Sequence, residues 1–173
     1  MKILLISGSP RQGNTEYLIK KISEKIPGSE VLLLREKIIQ HCTGCLYCHQ
    51  HIDCVIKDEM DEIGQKVLEA DFLIIGSPNY FDNVSGLLKD FVDRLHPFYK
   101  SESLKGKKLF LIMVGGGEVE GTKECLEKTM GGVIKHLKFD LIGSYCLKAL
   151  ETDDLKNDST IENKINEIVE LIK

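Results

Sequence analysis

Ser7-Gly8-Ser9-Pro10-Arg11-Gln12-Gly13-Asn14-Thr15 separates an apolar run from a helical pattern, and the fold is read outward from it. Ahead of it, Ile3-Leu4-Leu5-Ile6 has the length and branching of a buried strand. Behind it, Leu18, Ile19, Ile22 and Ile26 recur at helical spacing until Pro27-Gly28 stops the pattern. A strand that enters a helix through small and hydroxyl residues is an anion site, because unpaired N–H groups and the helix dipole both face the ligand. Ser7, Ser9, Thr15 and Arg11 can donate further hydrogen bonds, and Asn14 or Thr15 is expected to cap the helix. The loop lacks the G-x-x-x-x-G-K-[ST] pattern of a nucleoside triphosphate site and the G-x-G-x-x-G pattern of a dinucleotide site. A single terminal phosphate is its simplest tenant, although an ordinary polar strand-to-helix connection would use the same residues.

Further along, Val31-Leu32-Leu33-Leu34 reads as a second strand, followed by a long polar stretch from Arg35 to Lys57 that has the character of a functional insertion. Asp58 to Glu62 begins a helix with Met60, Ile63 and Val67 on one face. Asp71 to Ile75 is a third strand ending in Gly76-Ser77-Pro78, where Pro78 is expected to stop the ladder. Leu87, Leu88, Phe91, Val92 and Leu95 mark a helix closed by Pro97. Leu109 to Val114 is a fourth strand running into Gly115-Gly116-Gly117. Leu126, Met130, Val133, Ile134 and Leu137 mark another helix, weakened by Gly131-Gly132. Phe139 to Cys146 is a fifth strand, and Ile161, Ile165, Ile168, Val169 and Ile172 form the inner face of a last helix. Glu151 to Asp154 reads as a solvated connection.

Five apolar strands alternating with amphipathic helices predict an α/β three-layer sandwich around a parallel sheet in the order 2-1-3-4-5. In that order the loops after strands one, three and four meet at one edge, and these are the loops rich in Gly, Ser and Asn here. The 173 residues, 42% hydrophobic and 29% charged, suffice for one domain over 1–173 with a cysteine-rich insertion at about 36–58. A net charge of −4 with no basic block argues against nucleic-acid binding. No apolar run reaches the length of a membrane span, so the expected location is cytoplasmic. Cysteines kept reduced there point to metal or redox chemistry rather than disulfides.

Ser7-Gly8-Ser9-Pro10-Arg11 with Gly13-Asn14-Thr15 resembles the FMN phosphate loop of the flavodoxin-like NAD(P)H-dependent FMN reductase superfamily, and Gly76-Ser77-Pro78-Asn79-Tyr80 fits the same family. The resemblance runs through nearly the whole chain. It implies that Ser9, Arg11, Gly13, Asn14 and Thr15 hold the FMN phosphate. It also implies that Pro78, Asn79, Tyr80, Phe81 and Asn83 lie along the isoalloxazine ring, with Gly115, Gly116 and Gly117 closing its other side. Tyr80 and Phe81 would equally pack over a sheet edge or meet a partner.

Cys42, Cys45, Cys48 and Cys54 form a C-x2-C-x2-C-x5-C run. Four thiolates so close in sequence can close around one centre. Zinc sites usually use two separated pairs, so the crowding fits a cubane better. This spacing after the second strand resembles the iron-sulfur flavoproteins of archaea and anaerobes, which implies a 4Fe-4S cluster exchanging electrons with FMN. A ferredoxin-like donor or NAD(P)H, and a homodimer or homotetramer, follow from the same resemblance. Free, zinc-bound or redox-active thiols remain open, as do an NAD(P)H-dependent FMN or quinone reductase without a cluster and a plain electron carrier. His41, His49 and His51 read as solvated loop histidines or as hydrogen-bond partners near the sulfurs, and Cys125 and Cys146 as core residues. No residue is assigned as a catalytic acid or base.

Overall fold

The β-branched and leucine-rich run Ile3–Ser7 (β1) sits inside the sheet, hydrogen-bonded on both sides. The computed structural model describes residues 1–172. Glu30–Leu33 (β2), Phe72–Pro78 (β3), Lys108–Gly115 (β4) and Asp140–Lys148 (β5) complete an all-parallel sheet in the order β2-β1-β3-β4-β5. This is the flavodoxin-like order expected from the sequence.

Alternation along each strand sorts the side chains into two cores. Leu4, Ile6, Leu73, Ile75 and Leu111 point to one face, where Met60–Glu69 (α2), Gly86–Asp93 (α3) and Val119–Leu137 (α5) cover them. Leu5, Ile74, Phe110 and Ile112 point to the other, under Asn14–Glu24 (α1) and Ile161–Ile172 (α7). Two short helices, Phe98–Ser101 (α4) and Asp154–Asn157 (α6), join the larger elements. Cys125 and Cys146 are buried, as expected.

Several sequence expectations need correction. Pro78 does not stop the ladder but ends β3 in register with Val114. A proline at a last strand position needs no donor, and the next amide, Asn79 N–H, takes up the bond to the Val114 carbonyl at 2.8 Å. The second strand ends at Leu33, and Leu34 opens a 3₁₀ turn that buries its side chain. Gly131 and Gly132 lie within the unbroken α5, because Leu126, Met130 and Leu137 on either side anchor it in the core. Gly13, not Asn14 or Thr15, occupies the cap position of α1, without a side-chain cap bond.

Candidate functional site

The switch between β1 and β3 brings three loops together at the carboxyl edge of the sheet. Buried hydroxyls stitch the first two. Gly8 N–H donates to the Gly76 carbonyl at 2.8 Å, and Ser85 Oγ donates to the Gly8 carbonyl at 2.5 Å while accepting Leu88 N–H at 3.0 Å as the cap of α3. Ser77 Oγ donates to the Pro78 carbonyl and accepts the Ser85 amide. Gly8 is required for this closeness, because a Cβ there would stand 2.7 Å from Leu88 Cβ. Gly115 is required for the third loop, where a Cβ would stand 2.6 Å from Asn79 Cβ.

Within the first loop Ser9 is buried, and its Oγ donates to the Arg11 carbonyl at 2.7 Å. The first intrahelical bond of α1 is Tyr17 N–H to the Gly13 carbonyl at 2.9 Å, which leaves the amides of residues 14–16 pointing out of the helix start. Thr15 is buried. Asn14 is committed elsewhere: its amide donates to the Glu151 carbonyl at 2.6 Å and accepts Leu155 N–H at 3.0 Å, so it ties down the connection after β5. Arg11 is exposed and belongs to none of the ion pairs among the described residues.

In the second loop Tyr80 and Asn83 exchange backbone hydrogen bonds at 2.9 and 3.1 Å around Phe81 and Asp82, both at positive φ (51° and 55°). Such a turn favours Asn-Gly, and a bulky aromatic there is strained. Phe81 is also fully exposed. Asn79 Oδ1 is buried with no hydrogen-bond partner, although it lies at the junction of the β3 and β4 loops. A flavin fits these features. The isoalloxazine edge carries an N–H for an orphaned acceptor, and Tyr80 and Phe81 offer apolar surface to its faces. Gly116 and Gly117 are exposed at the end of β4, and a Cβ at Gly116 would meet Leu150 Cδ1 at 2.8 Å.

The cysteine segment lies apart, along α3 and α4. Its anchors are Arg94 and Asp58, Asp90 with His41 Nδ1 at 2.6 Å, His96 Nδ1 with Cys48 Sγ at 3.3 Å, and the Lys100 ammonium on the His49 carbonyl. His49 also stacks on His96, with ring centroids 5.0 Å apart, so these histidines are not simply solvated. Cys42 and Cys45 are exposed, and Cys48 and Cys54 are half-buried. Among the described residues no three His, Cys, Asp or Glu side chains converge as metal ligands, so the four thiols are not drawn around one point. Residues 41–47 are all exposed, and no core contact pulls them inward. Burial first, and then the charges of Cys54, Cys42 and Cys45, push the Cys48 thiol above its ordinary pKa. Four thiols on one short segment are a donor set that suits a thiolate-bound centre.

Between α3 and α5 a cavity of about 580 Å³ opens, floored by Val84, Val92, Met130 and Val133 and rimmed by His96 and Tyr99. Asn83 also lines it, so it connects the second loop to the histidine beside Cys48. The sequence did not reveal the roles of Ser77, Ser85, Arg94 and His96. Each depends on partners far along the chain, and only the S-x-x-x start of α3 is a local signal for Ser85.

The model of the family described as NADPH-dependent FMN reductase matches residues 1–147. An iron-sulfur flavoprotein of Methanocaldococcus jannaschii is 37% identical over 133 residues, covering 74% of this chain and 69% of its own length. An iron-sulfur flavoprotein of Archaeoglobus fulgidus is 33% identical over 181 residues, covering 98% of this chain and 81% of its own. Among solved structures, the Trp repressor binding protein from Bacillus subtilis superimposes with a TM-score of 0.73 at 20% identity, over 99% of this chain and 97% of that one, which is a likeness of fold.

Proposed function

Because the chain belongs to the NADPH-dependent FMN reductase family, in its iron-sulfur flavoprotein branch, we propose that it couples FMN to a 4Fe-4S cluster and carries electrons from a ferredoxin-like donor to an acceptor. It is an FMN-dependent oxidoreductase. FMN supplies a two-electron carrier that also exchanges electrons singly, and a cluster supplies a one-electron carrier. The protein's part is to bind, orient and shield them.

The amides at the start of α1, with Ser9, Thr15 and the unpaired Arg11, hold the terminal phosphate; Gly13 and Asn14 supply backbone there. Asn79 accepts from the ring edge through its orphaned oxygen. Pro78, Tyr80, Phe81 and Asn83 flank the ring, and Gly115, Gly116 and Gly117 admit it on the other side. Cys42, Cys45, Cys48 and Cys54 are the cluster ligands in a cysteine-rich insertion at about 36–58 of one domain. The observation that carries the cluster reading is their placement on one short segment anchored to α3 and to the histidine that follows it.

Cytoplasmic location is proposed because these thiols must stay reduced. No helix among the described residues is long and apolar enough to cross a membrane. A homodimer or homotetramer is proposed as well. That assembly is carried over from the resemblance to iron-sulfur flavoproteins.

Anaerobic purification followed by iron, sulfide, zinc and flavin analysis tests the reading. Cluster stoichiometry with FMN is the expected result. FMN without iron, after failed anaerobic reconstitution, would leave an NAD(P)H-dependent FMN or quinone reductase, recognised by rapid bleaching of the flavin with NADPH. Thiols that do not converge among the described residues favour that second reading.

A further inference from the structure

Arg94 follows α3 and is the C-cap residue of that helix. Its side chain is 1% exposed and that of its partner Asp58 is 3% exposed. Nη1 donates to the Gln40 carbonyl at 2.8 Å and to Asp58 Oδ2 at 2.7 Å; Nη2 donates to the Ile56 carbonyl at 3.1 Å and to Asp58 Oδ1 at 3.0 Å. Asp58 in turn accepts the amides of Gln40 at 2.8 Å and Met60 at 3.0 Å. Gln40 stands two residues before Cys42, and Ile56 two residues after Cys54. One guanidinium therefore fastens both ends of the cysteine segment to the core. Its Nε is buried without a hydrogen-bond partner.

A buried ion pair is a poor device for stability alone, since an apolar pair of similar volume usually serves as well. Its geometry does something an apolar pair would not. It satisfies two backbone carbonyls at the ends of a loop whose interior has no regular structure between Glu36 and the 3₁₀ turn at Tyr47–His49. Closing those ends removes much of the conformational freedom that four scattered thiols would otherwise lose on gathering around iron.

We propose that Arg94, with Asp58 as its counter-ion, is the positioning residue of the cluster site: it closes the cysteine loop before iron arrives. The proposal rests on the cluster reading above. Lysine at this position keeps the charge but lacks the planar fork that reaches two carbonyls and a carboxylate together.

The test compares the full-length wild type with Arg94→Lys and Arg94→Met. In metal-free protein, hydrogen exchange across residues 40–57 should speed up at least about tenfold in both variants, with the β3 and β4 amides unchanged. After anaerobic reconstitution, Arg94→Lys should lose iron to a chelator about 10- to 100-fold faster than wild type. Unchanged loop exchange, or unchanged iron loss, would overturn the proposal. If Arg94→Met fails to fold, Asp58→Asn and Arg94→Lys carry the comparison. If wild type itself takes up no cluster, the cluster reading fails, whereas exchange in the metal-free loop still decides whether Arg94 closes it.

Discussion

The carboxyl edge of the sheet and the cysteine loop are two ways of building a site. At the edge, Ser7, Ser77 and Ser85 are buried; Ser7 accepts the Ser9 amide, Ser77 accepts the Ser85 amide, and Ser85 donates to the Gly8 carbonyl of the neighbouring loop, so the site is continuous with the core. The cysteine loop is laid over α3, exposed from His41 to Tyr47 and fastened chiefly where it begins and ends. The first arrangement is fixed by folding. The second is closed by a few polar anchors and is completed by whatever its thiols bind. Damage should therefore spread differently: at the edge it lowers the stability of the whole protein, whereas in the loop it stays local.

The sharpest separation should come from Cys45→Ser. Cys45 is exposed and makes no contact with the core, so its loss should abolish cluster assembly, seen as loss of protein-bound iron and sulfide, while FMN content and melting temperature stay at wild-type values. Loss of flavin along with iron would break the distinction between the two regions. Ser85→Ala is the reciprocal experiment. It removes the cap of α3 and leaves the Gly8 carbonyl buried without its donor, which together cost about 2–4 kcal/mol. Calorimetry should show the melting temperature falling on the order of 10 °C. A drop confined to flavin affinity would mean that the hydroxyl network belongs to the ligand and not to the fold.

The same contrast governs what the sequence discloses. The edge was legible because strand-loop-helix punctuation is local: apolar runs, then Gly, Ser and Asn, then helical spacing. The errors there were short-range. Pro78 was expected to end the ladder, but a terminal strand residue needs no amide. Asn14 was expected to cap α1, but its side chain is spent on Glu151 and Leu155, some 140 positions away. The strained Phe81-Asp82 turn lacks the Gly that would have announced it. In the loop, the cysteine spacing was legible and its support was not. Asp93-Arg94-Leu95-His96 lies at the end of the helix closed by Pro97, and nothing near it in sequence signals Asp58 or Cys48.

A smaller effect should isolate the phosphate role within the edge. Arg11 is exposed and unpaired, so Arg11→Ala should leave the melting temperature unchanged. Loss of one charge-assisted hydrogen bond, about 1.5–3 kcal/mol, should weaken FMN roughly 10- to 100-fold in equilibrium titration. Riboflavin, which lacks the phosphate, should bind both proteins alike. Thr15 is a poorer probe because it is buried beneath Gly76, where substitution also disturbs packing.

The smallest expected effect lies in the acid range and touches the edge from below. Glu16 is in the first turn of α1, with its side chain only 4% exposed. It accepts from Arg35 Nε at 2.6 Å, Arg35 Nη2 at 3.2 Å and Lys20 Nζ at 2.8 Å. Burial pushes its carboxyl up, but the hydrogen bonds from Arg35 and Lys20 outweigh burial and hold the pKa below the ordinary carboxylate value. A depressed folded-state pKa means that the unfolded chain binds the proton more readily. The ionised form thus contributes stability that is complete above the unfolded value, near 4.3, and is lost as pH falls through the lower folded value. Glu16→Gln should consequently melt a few degrees below wild type at pH 7, and the gap should narrow only below about pH 4. A gap that narrows between pH 7 and 5 would assign the acid sensitivity to another group. Because Glu16 sits one residue after Thr15, the same pair of scans with FMN added shows whether this ion pair also sets the angle at which α1 presents its amides. Equal FMN-induced shifts in both proteins would place Glu16 in the fold alone.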